Sequence, residues 1–287
     1  MITKLESGVL PAKEEWESHM HLLKAQTKSS TKAKVQAALE SAVKQRIPNE
    51  KCGLLLSGGV DSSFIALLLK KFDANLTCYS VGLKDSPDII AAKKAADLLG
   101  LKLICKEFSI SEAGELIKRT AQILPHVDVV SIGVGSVVVA AAELAKAEGV
   151  SILFAGLGSE EIFAGYERHV KAKDVNEECW NGLTNVIWGR DFTRDTAIAT
   201  KMKFTVRVPF LDDEVIKSAM GIPGDQKIKG EDKKVILREI AEEMGLPKEI
   251  AWRKKKAAQY GSGFDKALET LAKQKKMQKS EYVKRLI

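Results

Sequence analysis

The run Cys52-Gly53-Leu54-Leu55-Leu56, followed at once by Ser57-Gly58-Gly59-Val60-Asp61-Ser62-Ser63, constrains this chain more than any other stretch. Five uncharged residues ending on three leucines suit a strand buried on both faces, which is how strands of a parallel sheet read. A loop over 57–61 then leads into a helical pattern over 62–72, so a glycine pair lies at the strand's carboxyl end. Ligands of open parallel sheets bind at that end.

The alternation continues downstream. Residues 76–81, 101–104 and 150–155 read as strands, with helices over 88–99, 112–124 and 137–146 between them. Strands and helices taking turns imply a doubly wound α/β fold, a parallel sheet with helices on both faces. Upstream, residues 13–46 read as two helices broken at Thr27-Lys28-Ser29-Ser30, the second carrying Val35, Leu39, Val43 and Ile47 on one stripe. Beyond residue 161 the pattern is mainly helical, with turns at Gly221-Ile222-Pro223-Gly224 and Gly245-Leu246-Pro247. The expected organisation is N-terminal helices over 1–48 packing on the core, a catalytic domain over 49–265, and a basic helical tail over 266–287.

Composition narrows the setting. A chain of 287 residues, 45% hydrophobic, can bury a full core. No uninterrupted apolar stretch approaches about 18 residues, so no membrane span is expected. The opening Met1-Ile2-Thr3-Lys4 lacks the basic–apolar–small order of a signal peptide. Cys52, Cys78, Cys105 and Cys179 have no Cys-x-x-Cys spacing, which argues against a zinc site or disulfide framework and for a reducing cytoplasm. The net charge of +7 favours polyanions such as ATP or nucleic acid. Much of the excess falls in Arg253-Lys254-Lys255-Lys256 and over 273–279, without the aromatic interleaving of a single-strand binder, so nucleic acid is the weaker reading.

The loop itself reads as a phosphate cradle. Gly58 and Gly59 allow close backbone approach to a phosphate, and their amides, backed by the next helix's dipole, form an anion nest. Ser57 and Ser62 add hydroxyl donors. Asp61 would repel a phosphate, so its sensible role is to hold Mg²⁺ on a pyrophosphate. The Walker Lys-Ser/Thr ending is absent, so γ-phosphoryl transfer is not implied. An ordinary glycine-rich strand–helix turn is the alternative; Ser, Asp and Ser in register after the leucine run argue against it.

Ser57-Gly58-Gly59-Val60-Asp61-Ser62 resembles the pyrophosphate loop of the N-type ATP pyrophosphatases, whose fold is the adenine nucleotide α-hydrolase (PP-loop) type. The wider chain, over about 32–265, resembles the synthetase half of asparagine synthetase. Supporting stretches are Val81-Gly82-Leu83 with Ser86-Pro87-Asp88, then Gly156-Leu157-Gly158-Ser159-Glu160-Glu161 running to Tyr166. Arg207-Val208-Pro209-Phe210-Leu211-Asp212 and Ala251-Trp252-Arg253-Lys254-Lys255 follow in the family's order. The resemblance implies that a small carboxylate attacks the α-phosphate of ATP, Mg-pyrophosphate leaves, and ammonia displaces AMP to form an amide. It implies that Leu56 and Val81 flank the nucleotide with Ala155 and Gly156 beside it, and that Asp61 and Glu160 hold Mg²⁺. Glu160 is a longer carboxylate where the family has Asp, and Lys255 would neutralise the developing pyrophosphate charge.

Other residues stay open between two readings. Arg207 lines the cleft or forms a structural ion pair, Asp88 belongs to the site or caps a helix, and Glu161 is functional or merely favours a helix N-terminus. His126 and His169 lack metal-like partners, and Gly133-Val134-Gly135 lacks the third glycine of a dinucleotide fingerprint.

Two departures from the family stand out. Leu157 occupies the middle of what is Gly-Glu-Gly in asparagine synthetases, and Gly133 falls where an aspartate-binding Arg is usual. Both changes, with Lys256-Ala257-Ala258-Gln259-Tyr260-Gly261-Ser262, resemble the short offshoot proteins that contain an asparagine synthetase domain. Cys52 is the first cysteine, so no glutaminase nucleophile is expected, and nitrogen would come as free ammonia, from a separate glutaminase subunit, or from a different nucleophile. The leading expectation is an ATP-dependent, AMP-forming amide ligase. A PP-loop enzyme adenylating another acceptor such as tRNA, and a nucleotide-binding scaffold that has lost catalysis, are the alternatives; a homo-oligomer is left open.

Overall fold

The computed structural model describes residues 5–287; Met1-Ile2-Thr3-Lys4, read above for a leader, lies outside the described residues. Five strands, β1 (Cys52–Leu55), β2 (Leu76–Leu83), β3 (Leu103–Phe108), β4 (Ile152–Phe154) and β5 (Thr205–Arg207), form one sheet in the order β3-β2-β1-β4-β5. Every pairing is parallel, with Leu54 facing Cys78 on one side and Phe154 on the other. This is a doubly wound sheet. The chain winds outward from β1 in one direction through β2 and β3, then returns to β4 and β5, so the switch in strand order lies between β1 and β4. A crevice opens there, outside the carboxyl ends of the strands.

The helices α1 (Lys13–Gln26) and α2 (Lys32–Lys44) fall as the sequence pattern indicates, with Thr31 accepting from Lys34 N to cap the second. They bury Trp16, Met20, Leu39 and Val43 in the same core cluster as β1. α3 (Val60–Lys71) and α4 (Pro87–Leu99) bury residues in that same cluster, while α5 (Ile110–Ala121) and α6 (Val129–Ala147) bury theirs in a second one.

Several elements differ from the sequence reading. The helix after the glycine loop starts at Val60 rather than at residue 62, because Gly59 takes an extended conformation (φ −89°, ψ 163°) and serves as its N-cap. Asp61 therefore sits in the first helical turn, not in the loop. β3 begins at Leu103 rather than at residue 101: Gly100 adopts the left-handed conformation and Leu101 N donates to Ala96 O, spending those residues on closing α4. β5 was not anticipated, being three half-buried residues at the sheet edge with no apolar run to mark them.

The largest correction is α6, which starts at Val129 instead of 137. Asp128 accepts from Val130 N and Ser131 N and nucleates it, so Gly133-Val134-Gly135 is helical and no dinucleotide turn. By length and composition this one helix among the described residues could cross a bilayer, although Ser131, Gly133, Gly135 and Ser136 interrupt its apolar run. Here it packs against β2, α5 and the late helix Phe264–Gln274. The stretch over 266–287, expected to be a basic helical tail, buries Ala267, Leu268, Ala272, Tyr282 and Val283 in the second core cluster.

Candidate active site

β1 delivers Ser57 and the two glycines to the crevice. Leu56 N donates to Tyr79 O (2.8 Å), carrying the β1–β2 pairing one residue beyond the strand. Gly58 then turns with φ +65°, and a Cβ there would collide with the carbonyl group of Ala91 in α4; only glycine fits. A Cβ on Gly59 would lie 2.6 Å from Lys255 Cδ, so the lysine stem rests on the bare glycine backbone. Ser57 N donates to Ser62 Oγ (3.2 Å), and Lys255 Nζ donates to Ser57 Oγ (3.2 Å).

Lys255 is held in place by its neighbour. Arg253 Nη1 donates to Ser57 O (3.0 Å), while its Nη2 reaches Pro87 O (3.2 Å) and the buried Asp88 carboxylate (3.1 Å). Asp88 is therefore an anchor for the 253–255 segment; Ser86 takes the N-cap position of α4.

Across the crevice, the short helix α7 (Ser159–Ile162) brings Glu160 to face Asp61. One side chain that the sequence reading missed joins them. Lys234 Nζ lies 2.7 Å from Asp61 Oδ1 and 2.7 Å from Glu160 Oε1, and donates to Ser159 Oγ at 3.3 Å. It is nearly fully buried and left-handed (φ 58°), at the N-cap of the helix Val235–Glu243. A cation at a helix N-terminus opposes the dipole, and that misplacement was the one signal available in the sequence. Burial alone would raise the Asp61 carboxyl, yet Lys234 and Lys255 together hold it below the usual carboxylate range. Burial would likewise lower the Lys234 ammonium, and the Asp61 and Glu160 carboxylates outweigh it and keep it charged.

A cavity of about 400 Å³ unites these residues. Leu56, Ser57, Asp61, Ser62, Val81 and Ala155 line it, as do Gly156, Glu160 and Lys255. Gly58 and Gly59 lie in the loop behind it. Beside it a smaller cleft of about 70 Å³ gathers Lys233, Lys234, Arg238, Arg253 and Lys255 around Asp61 and Glu160. Counting Glu167 on Lys233 and Asp88 on Arg253, five cations meet four carboxylates, and Arg238 and Lys255 have no carboxylate partner among the described residues, so positive charge is left over for a polyanion.

Three other residues considered above, Arg207, His126 and His169, fall elsewhere. Arg207 Nη1 pairs with the buried Glu6 at 3.6 Å, and Arg46 Nε reaches the same carboxylate at 2.7 Å, so Arg207 is an ion-pair residue. His169 Nδ1 accepts from Tyr166 N (3.1 Å) inside the fold. His126 lines a separate polar cavity.

Glu161, next to Glu160, points the other way. It accepts from Tyr166 Oη (2.8 Å) and from Arg190 Nη2 (3.3 Å), and burial pushes its carboxyl up to about 7. α7 thus presents one carboxylate to the phosphate loop and one to an arginine cluster.

The sequence profile of the asparagine synthase family matches residues 34–197 and 171–286. A protein of Methanocaldococcus jannaschii named as glutamine-hydrolysing asparagine synthetase 1 is 32% identical over 88% of this chain and 54% of its own length. Asparagine synthetase B of Escherichia coli is 32% identical over 81% of this chain and 45% of its own. The chain spans about half the length of the curated relatives it matches. A looser likeness is to the solved structure of NMN synthetase from Francisella tularensis, with TM-score 0.46 and 12% identity over 89% of this chain and 92% of that one.

Proposed function

This chain belongs to the asparagine synthase family, and from that premise we propose that it is an ATP-dependent, AMP-forming ligase. In this reading it adenylates a small carboxylate, releases pyrophosphate, and passes the acyl group to ammonia as an amide. The observation that carries the proposal is the cationic cleft beside the glycine loop, where Lys233, Lys234, Arg238, Arg253 and Lys255 converge. A triphosphate cut between its α and β phosphates gives a leaving group of high negative charge, and donors fixed where that charge develops lower the barrier.

Each residue has a role in this reading. The backbone at Gly58 and Gly59 takes the β-phosphate region, with Ser57 and Ser62 as hydroxyl donors. Leu56, Val81 and Ala155 flank the nucleoside, and Gly156 leaves room beside it. Lys255 follows the departing pyrophosphate. Lys234 holds Asp61 and Glu160 in mutual register.

Asp61 and Glu160 also suit Mg²⁺, because both carboxylates already reach a single positive centre, Lys234 Nζ, at 2.7 Å each. Magnesium binds through one or two carboxylates together with waters and substrate phosphates, which is the donor set this corner offers. When bound, the ion would neutralise charge on the pyrophosphate.

The test is pyrophosphate and AMP release from Mg-ATP with a panel of carboxylates and ammonium. Asp61→Asn keeps the side-chain size and removes the charge. It is expected to lower release on the order of 10²-fold with an unchanged circular dichroism spectrum. Unchanged release would remove Asp61 from the machinery; ADP in place of AMP would refute the α–β cleavage.

A further inference from the structure

The acceptor end of the cavity has a chemistry of its own. On α6, Val130, Val134, Val137 and Val138 recur at helical spacing and line the cavity, joined by Leu157 from the opposite wall. Residues of one helix at i, i+4, i+7 and i+8 form a single stripe. Buried core positions of α6 such as Ile132, Val139 and Ala142 face elsewhere; Val137 and Val138 also pack against the second core cluster, while Val130 and Val134 are cavity wall.

The charges at this end cancel. Arg194, nearly fully buried, donates to Asp191 Oδ1 (3.0 Å) and to both oxygens of Asp195 (2.7 and 3.0 Å). Arg190 donates through Nε to Asp191 (2.9 Å) and through Nη2 to Asp191, Tyr166 and Glu161. Two guanidinium groups thus meet three carboxyls of the chain itself. Among the described residues the open polar atoms here are Arg190 Nη1, which makes no hydrogen bond, and the buried Gln259 Oε1, which has no partner. One donor and one acceptor remain, and neither brings uncompensated positive charge.

Gly133 completes the picture. A Cβ there would lie 2.7 Å from Gln259 Cβ, so the 258–261 helix closes on α6 at the position where a longer side chain could otherwise supply a cation.

Resting on the ligase reading above, we propose that the acceptor is a monocarboxylate with an apolar body, and that Val130, Val134 and Leu157 form its specificity surface. A dicarboxylate such as aspartate would bury its second carboxylate against valines with no free cation to meet it, a desolvation cost that nothing here offsets. A single carboxylate reaches the α-phosphate while its carbon chain covers the stripe. Arg190 Nη1 then supplies one hydrogen bond to orient it.

ATP–pyrophosphate exchange on the full chain separates the possibilities, since it reads adenylation without any nucleophile. The probes are butyrate, isovalerate, hexanoate and 3-phenylpropionate against aspartate and glutamate. Exchange is expected with the apolar acids and at background with aspartate. Val134→Asp is expected to raise the KM for the apolar acids about tenfold or more, with ATP affinity by calorimetry unchanged. Val134→Thr, which keeps the shape, gives the same direction if the aspartate variant does not fold. Exchange with aspartate in preference to the apolar acids overturns the acceptor assignment alone. No exchange with any acid, while ATP still binds, removes the ligase reading and this inference with it.

Discussion

At Lys227 the side chain is fully buried, and its one hydrogen-bond partner among the described residues is the Met220 sulfur at 3.5 Å. Burial pushes the ammonium down to about 8 from its ordinary 10.5. The sign follows from linkage. Below pH 8 both folded and unfolded chains hold the proton, and the folded state bears the whole cost of a buried charge. Between 8 and 10.5 the unfolded chain keeps a proton that the folded chain has released, so this group's contribution to stability improves as pH rises. Lys227→Met is therefore expected to stabilise the protein by about 2 kcal/mol at pH 7, with the gain shrinking toward pH 10. Denaturant melts of both proteins at the two pH values check it. Lys234 is the opposite case, a buried lysine fully compensated by Asp61 and Glu160. With an internal cation already between the carboxylates, the pocket is no ready chelator. Millimolar Mg²⁺ alone is expected to leave the melting temperature unchanged, whereas Mg-ATP raises it; a clear shift with the metal alone would contradict this.

At the scale of elements, the strand–loop–helix unit was legible because three leucines and two glycines each had one physical use. β1 needed burial on both faces, and Gly58 needed a positive φ. What escaped was set by contacts between distant segments. β5 is a strand only because β4 offers Ile152, Leu153 and Phe154 as partners. Lys234 reads as one more surface lysine until Asp61, far upstream in the chain, is folded against it. Arg253 ties the 253–255 segment to both the loop and α4, which no local pattern announces. The contact of Gly59 with the Lys255 stem makes a test at this scale. Gly59→Ala places a methyl where Lys255 Cδ rests, so the ammonium must swing off Ser57. Turnover is expected to fall on the order of 10²-fold. The melting temperature should move little, since Gly59 lies at φ −89° where alanine is unstrained. Retained turnover would show that Lys255 acts from another position.

Across the whole molecule, two core clusters lie on the two faces of one sheet, and residues from both line the cavity between β1 and β4. The cavity is lined from β2 and α6, from the loops after β1 and β4 and from segments near 190 and 255, so no fragment carries it alone. The long apolar helix α6 carries a further implication for how the chain is made. Its covering partners lie far apart in the chain: β2 and α5 precede it, while the helices Phe264–Gln274 and Lys279–Lys284 follow well downstream. During translation this apolar helix is therefore made well before the two downstream helices can cover it. A chain ended at residue 263 is expected to aggregate or to be captured by chaperones, read by sedimentation of the freshly translated product, whereas the full chain should remain in the supernatant. These two downstream helices thus shield the apolar face of α6 once they are made.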